Sequence, residues 1–334
     1  MSGRHANISI FVPHIGCPNM CSFCDQRHIT GTAKVPNDDD ISSAVEIAKR
    51  TAGYDPKKTE IAFFGGSFTA IEREYMLSLL KCAKQFVDDG SVFGIRVSTR
   101  PDAIDEERLD LLKEYGVTSI ELGAQSLNDR VLKMNNRGHT ADDVIKASAL
   151  IKQYGFSLGL QMMTGLYSSS ENDAIETLKG IIALKPDTLR IYPTIVLKDT
   201  RLAELYNSGV YRPQTLDEAV NLSVKLLDML NGTGIKLIRL GLHSIEPDSY
   251  AAGPWHPSFS ELCASRRMLN TVLDMLCGVP CGNYDLHVRA RDVSKMTGQK
   301  KCNIIALRER GYNCRVMGNL NENDENIKIE RSEI

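Results

Sequence analysis

The sequence predicts an α/β protein built on a parallel sheet. Short runs rich in β-branched residues alternate six times with longer amphipathic stretches. Pro101-Asp102 and Lys185-Pro186-Asp187 punctuate helix–strand boundaries. Cysteines, paired glycines and isolated glutamines fall just after the β-branched runs, where α/β sheets collect their sites.

The elements follow in order. Strands are expected over Ile8–Val12, Glu60–Phe64, Phe93–Ser98, Ser119–Gly123, Ser157–Met163 and Thr188–Pro193. Helices are expected over Ile41–Thr51, Ile71–Asp88, Ile104–Tyr115, Ala141–Tyr154, Glu171–Leu184 and Leu216–Asn231. In the second of these, Met76, Leu79, Leu80, Ala83 and Val87 recur near the helical period. Six βα units in succession imply parallel strands with helices packed outside. Such a sheet can be doubly wound or curled into a barrel, and periodicity allows both. Past Ile245 the alternation stops. Tyr250–Pro257 reads as a loop, Ser260–Leu276 as a helix, and Asn283–Ile329 as short strands around a helical turn. An acidic, Asn-rich tail is expected to fray. The expected division is therefore 1–245 for the βα body and 246–334 for a small α+β extension.

Composition narrows the classes. The chain has 334 residues, 42% hydrophobic and 25% charged, as in soluble globular proteins. No apolar run is long enough for a bilayer. The start, MSGRHANISIFVPHIGC, has no long apolar segment of the signal-peptide kind, so a cytoplasmic protein is expected, with no membrane partner. A formal charge of −2 gives no global attraction to nucleic acid. Nine cysteines in such a chain point to metal ligation or redox chemistry before disulfides.

Three of those cysteines, Cys17, Cys21 and Cys24, stand in GCPNMCSFCDQ after the first strand. Thiolates suit zinc or iron–sulfur clusters. With His14 or His28 they would close a four-ligand zinc site. Alone, three thiolates can hold three irons of a [4Fe–4S] cube and leave the fourth iron open to a ligand. Phe23, between the last two cysteines, either covers a ligand or packs into the core.

The spacing C-x-x-x-C-x-Φ-C, with Φ aromatic, resembles the signature of radical S-adenosylmethionine (SAM) enzymes. The resemblance continues through Gly65-Gly66-Ser67-Phe68, Ser98-Thr99-Arg100-Pro101-Asp102, IELGAQS (120–126), NRGHT (136–140), QMMTGL (161–166) and RIYPTIVLKDTRLAELY (190–206). This ordered series is similar to the radical SAM domain of the Elongator catalytic subunit, and more loosely to oxygen-independent coproporphyrinogen III oxidase. It covers roughly residues 5–255. It implies a partial (β/α)6 TIM-like barrel carrying a [4Fe–4S] cluster and SAM. Reductive cleavage of SAM would yield a 5′-deoxyadenosyl radical for hydrogen abstraction. It also implies a reductant such as ferredoxin or flavodoxin, and tRNA as a substrate.

The resemblance assigns Cys17, Cys21 and Cys24 to the cluster. It assigns Phe23 to the adenine or the cluster loop, and Gly65, Gly66 and Ser67 to the SAM amino group. Arg100 suits the SAM carboxylate, or a salt bridge to Asp102 or Glu121. Gln125 suits the ribose or carboxylate, or backbone groups at the rim. Gln161 and Gly165 close the fifth strand, with Gly165 against the adenine and Met163 in the core. His139, Lys198 and Tyr192 are weaker substrate-side candidates. The chain departs from the Elongator subunit in its closer first two cysteines. The stretch after Ile245 is too short for that subunit's acetyltransferase domain, so acetyl-CoA use is not carried over. The chain looks more like the smaller bacterial Elongator-like radical SAM proteins. In the extension, Arg289, Arg291, Lys295, Lys300 and Lys301 form either an RNA phosphate patch or a solvated face. Cys277, Cys281, Cys302 and Cys314 are either a second metal site or isolated thiols. The rival outside enzymes is a zinc or redox-sensing protein that keeps the barrel as scaffold.

Overall fold

A computed structural model describes residues 6–12, 21–24, 35–242, 245–321 and 326–332. Cys17, His14 and His28 lie outside them. The chain divides into two compact units, 1–214 with 230–255 and 215–229 with 256–334. The division expected after residue 245 falls inside the first unit.

In the first unit, strands β1 (Ala6–Val12), β2 (Thr59–Gly65), β3 (Gly94–Thr99), β4 (Val117–Gln125), β5 (Ser157–Thr164) and β6 (Thr188–Pro193) pair in chain order, all parallel. A two-residue strand, β7 (Val196–Leu197), follows. Strand β8 (Lys236–Leu240) then joins the main sheet beside β6. The sequence reading did not include this seventh parallel strand, because KLIRL is short and flanked by glycine-rich turns. Tyr250–Ala252, expected as loop, is a short strand β9 paired antiparallel with β7.

Helices α1 (Asp38–Lys49), α2 (Arg73–Asp88), α3 (Glu106–Glu114), α4 (Asp129–Met134), α5 (Ala141–Gln153), α6 (Glu171–Leu184), α7 (Arg201–Asn207) and α8 (Leu216–Leu230) follow the strands. Local chemistry starts them: Asn37–Asp40, Thr140–Asp143 and Ser170–Asp173 form reciprocal capping boxes on α1, α5 and α6. Helices α1, α2, α5 and α6 pack on strands β1, β3, β4–β5 and β5.

The strands alternate in character. Ile61, Phe63, Ile95, Val97, Ile120, Leu122, Leu158, Leu160, Leu189 and Ile191 form one buried apolar face. Between them, on the other face, stand Glu60, Arg96, Ser119, Glu121, Gln161 and Arg190. A doubly wound sheet needs apolar residues on both faces. Here the second face lines a cavity of about 1210 Å³ whose wall runs from Asn7 on β1 to Ile238 on β8. Strand order without reversal, and one cavity bounded by both edge strands, decide for the partial barrel.

The second unit holds α8 and adds α9 (Phe259–Met275), β10 (Gly282–Arg289), α10 (Val293–Thr297), α11 (Cys302–Arg308), β11 (Tyr312–Leu320) and β12 (Ile327–Arg331). Strand β10 lies between parallel β11 and antiparallel β12. The end of the expected frayed tail is thus a paired strand, with Ile327 in the core beside Leu286, Leu269 and Met296. Residues 322–325 lie outside the described ones. Asn303 is a polar anchor, 2% exposed. Its amide donates toward Ser265 O, Ser265 Oγ, Lys295 O and Met296 O at 3.0–3.1 Å.

Asn303→Ala leaves those buried acceptors unmatched and should lower the unfolding free energy by about 1–3 kcal/mol. Urea denaturation followed by circular dichroism measures it; an unchanged midpoint would contradict the anchoring role.

Candidate active site

The cysteine turn is held from both sides. Cys24 N–H donates to Cys21 O at 3.1 Å and closes the turn. Between them Ser22, 1% exposed, donates its N–H to Asn135 O at 3.1 Å and its hydroxyl to Asn135 Oδ1 at 2.8 Å. Ser22 O accepts from Leu202 N–H at 2.7 Å. The turn is thereby pinned between the end of α4 and the first turn of α7. Phe23 packs with Val196, Leu202, Ala203 and Tyr211, and also lines the cavity. The ring thus packs against the core and also reaches the cavity.

Cys21 and Cys24 are half-buried and stand on the cavity wall. Arg137 Nη1 donates to Cys21 Sγ at 3.1 Å, while its Nη2 donates to Gly123 O at 2.7 Å. Two thiols on one turn, backed by a guanidinium, fit a thiolate-held group. Among the described residues no three His, Cys, Asp or Glu side chains group as metal ligands, and Cys17 lies outside them.

Across the mouth, Gly65 ends β2 at φ 110°. A Cβ there would lie 2.5 Å from Val12 O and 2.7 Å from the Phe11 ring, so only glycine fits. Gly66 N–H donates to Val12 O at 2.8 Å. Ser67 Oγ contacts Thr99 Oγ1 at 2.8 Å and accepts Arg100 N–H at 3.1 Å. Gly65, Gly66 and Ser67 all line the cavity. Arg100 lines it too, with its guanidinium on Asp102, Nε to Oδ1 at 2.9 Å. Asp102 is one of its three expected partners.

Gln125 ends β4 in the left-handed region at φ 62°, an uncommon conformation for a non-glycine residue. Its Oε1 is buried without a hydrogen-bond partner, and the side chain lines the cavity. It can accept a ligand donor. Below it His139 is buried off the cavity wall, Nε2 3.1 Å from Ala124 O. Burial, then the Arg137 charge, pushes its pKa down to about 4, so the ring is neutral.

Deeper in the barrel lies a polar belt. Glu60 accepts from Arg96 Nε at 3.0 Å and from the Thr118 and Ser119 hydroxyls at 2.7 Å. Glu121 lies 3.8 Å from Arg96 Nη1 and accepts from Arg190 Nε at 2.9 Å and from the Gln161 amide. Arg190 also donates to Tyr192 OH at 3.4 Å and lies over the Phe64 ring. Gln161 is thus a cavity residue oriented by Glu121. Met163, expected in the core, lines the cavity as well.

Several candidates stand elsewhere. Gly165 lies off the cavity wall: its carbonyl accepts the Tyr211 hydroxyl at 2.7 Å, and a Cβ would meet Gln214 Oε1 at 2.6 Å. Lys198 is exposed and outside the lining. In the second unit Lys295, Arg289 and Arg291 surround Asp292 at 2.8, 3.1 and 3.9 Å. They hold a mostly buried carboxylate, which argues against a free basic patch at these three positions. Cys277, Cys281, Cys302 and Cys314 are free thiols that do not gather. Burial raises the Cys314 thiol to about 11.

The sequence reading missed Arg137, Glu60, Arg96 and Arg190, and gave Glu121 only a minor role. Charged residues inside strands expected to be buried were the available signal for the last four. Arg137 lies inside the NRGHT motif, but its contact with Cys21, 116 positions away, could not be read locally. Among the described residues no helix is long and apolar enough to cross a membrane.

Comparison with known proteins agrees with this architecture. A family model described as the radical SAM superfamily matches residues 11–181, and one for a radical SAM C-terminal domain matches 186–270. An uncharacterized protein of Methanocaldococcus jannaschii is 33% identical over 213 residues, 63% of this chain and 62% of that protein. Elongator complex protein 3 of Saccharomyces cerevisiae is 30% identical over 53% of this chain and 36% of its own length. A tRNA uridine(34) acetyltransferase of M. jannaschii is 30% identical over 51% of this chain and 35% of its own length. The chain thus spans about a third to three-fifths of the length of these curated relatives. An N-terminally truncated archaeal Elp3 from Methanocaldococcus infernus shares the fold, with a TM-score of 0.67 at 21% identity over 83% of this chain and 64% of that one. With a family model over half its length and the matching half-barrel, the chain belongs to the radical SAM superfamily.

Proposed function

We propose that the chain is a radical SAM enzyme in which Cys17, Cys21 and Cys24 hold a [4Fe–4S] cluster that binds SAM, with tRNA as substrate. The observation that carries this is the Cys21–Cys24 turn on the wall of a barrel cavity that Gly65, Gly66 and Gln125, with its unpartnered Oε1, also line. When bound, the cluster supplies one electron to SAM, giving methionine and a 5′-deoxyadenosyl radical that takes a hydrogen atom from the substrate.

The chain's own residues orient and shield. Gly65 and Gly66 let backbone approach the SAM amino group without side-chain interference. Gln125 offers its oxygen to a ribose hydroxyl, and the Phe23 ring closes the mouth above apolar neighbours. Arg137 holds Cys21 Sγ with a charge-assisted hydrogen bond. Such bonds to cluster sulfurs favour the reduced, more negative state. The names of the tRNA uridine(34) acetyltransferase relatives support tRNA as the substrate class. An external reductant, a ferredoxin or flavodoxin, would deliver the electron.

Anaerobically reconstituted protein should show an iron–sulfur absorbance band and dithionite-dependent 5′-deoxyadenosine, which tRNA accelerates. Tight zinc without SAM cleavage would favour the sensing rival. Cys21→Ala should abolish both band and product; retained product would exclude the ligand role. Gly65→Ala, whose Cβ meets Val12 O, should weaken SAM binding at least about tenfold, or about 1.4 kcal/mol. Equal SAM affinity by calorimetry would remove the glycine turn from the site. Arg137→Gln should move the cluster midpoint to lower potential in an EPR-monitored redox titration, with Arg137→Lys in between. An unmoved midpoint would reduce Arg137 to a packing role.

A further inference from the structure

Strand β4 falls out of step with β5 as it reaches the cavity. Gly123 pairs with Gln161 and Gln125 with Met162, so Ala124 is the extra residue of a bulge. Bulges of this kind re-aim side chains beside sites. The residue that follows is Gln125, in the left-handed region at φ 62°, a strained setting for a non-glycine residue that persists only where its surroundings fix it. Arg137 and His139, two side chains from one short stretch, hold the carbonyls just before it. Arg137 Nη2 donates to Gly123 O at 2.7 Å. His139 Nε2 donates to Ala124 O at 3.1 Å, and the same oxygen accepts Ser126 N–H at 2.7 Å. Gly123 completes the fit, since a Cβ there would stand 3.0 Å from Gln125 Nε2 and 3.4 Å from Arg137 Nη2.

As a mere filler, a histidine is unfavourable at this place. It is 3% exposed, and its Nδ1 is buried without a hydrogen-bond partner. Burial and then the Arg137 charge keep the ring neutral, so it carries a single proton. A carbonyl only accepts, so that proton sits on Nε2 and faces Ala124 O. An apolar side chain would occupy the space without stranding a nitrogen. It would not supply the donor that holds the bulge.

We propose that His139 is a positioning residue: by holding the Ala124 carbonyl it fixes the β4 bulge, and the bulge presents the Gln125 side-chain oxygen to a ligand hydroxyl in the cavity. His139 touches no ligand itself, because it stands off the cavity wall. Arg137 shares the hold but also contacts Cys21, so a substitution there changes two things at once. That the hydroxyl belongs to the ribose of SAM rests on the radical SAM reading of the cavity; the hold on Gln125 does not.

Three substitutions in the full-length protein test this. His139→Leu removes the donor. His139→Asn keeps a polar group that ends where Nδ1 stands, short of Ala124 O, and carries the same comparison should His139→Leu not fold. His139→Gln extends an amide N–H to the Nε2 position. With the cluster loaded, calorimetry should show SAM bound about tenfold more weakly by the Leu and Asn variants, and close to wild type by the Gln variant. In a Gln125→Ala background the loss from His139→Leu should vanish, because it acts through Gln125. Additive losses, or equal SAM affinity in all three variants, would overturn the proposal. Asn303→Ala, in the second unit, controls for lowered stability and should bind SAM as wild type; an equal loss there would reduce His139 to a packing role. Crystal structures of the unloaded wild type and His139→Asn need neither cluster nor SAM. In the variant Gln125 should leave the left-handed region or turn its oxygen from the cavity. An unchanged Gln125 would overturn the proposal whether or not an iron–sulfur band forms, whereas a missing band alone would sink only the enzyme reading.

Discussion

The ion pairs between Glu60, Arg96, Glu121 and Arg190 are the constraint from which much of the first unit follows. Four charged groups inside a small barrel are costly to desolvate, and their mutual attraction repays this only with near-complete hydrogen bonding. Glu60 receives it from Arg96, Thr118 and Ser119, and Glu121 from Arg190 and Gln161. Well-packed apolar side chains would fill such an interior at lower cost, as they do in closed TIM barrels. The polar belt instead leaves charged and hydrogen-bonding groups on the cavity wall. Truncating Arg96 would break its ion pair with Glu60, whereas losing Glu60 or Arg190 leaves Arg96 and Glu121 still paired with each other at 3.8 Å.

The belt also shapes the division of labour along each strand. Residues on the outer face hold helices; those on the inner face hold each other or a ligand. Because the period is two, a one-residue slip would drive Glu121 into the helix layer and Leu122 into the cavity. The local shifts in register at Gly123–Gln125 and at Leu189–Arg190 occur where the strands approach the site. There the ladder gives way to side-chain placement.

Much of this could be read from the sequence. Six strands and the helices between them appear within a few residues of their expected ends, because β-branched runs and capping residues act locally. Curl against double winding could not be read, since it depends on which residues share the inner face. The charges in Glu60, Arg96, Glu121 and Arg190 were visible, but only pairing converts them into a belt. KLIRL escaped notice as an edge strand with too little apolar length. At the site, the cysteine spacing is a local signal, legible before any fold is known; the contact of Arg137 with Cys21 is made by the fold. Gly165 is a glycine whose positive φ of 70° explains its residue type without any ligand, and it does not line the cavity.

Ser22 uses its amide, hydroxyl and carbonyl on two helices that lie far from it in sequence. The backbone between Cys21 and Cys24 is therefore anchored by protein contacts alone. Were the proposed cluster held there, it would enter a stretch already fixed by Asn135 and Leu202, unlike small metal domains whose ligands become ordered only when the ion arrives. Its removal by chelation would then leave the backbone of Cys21–Cys24 in place for reloading.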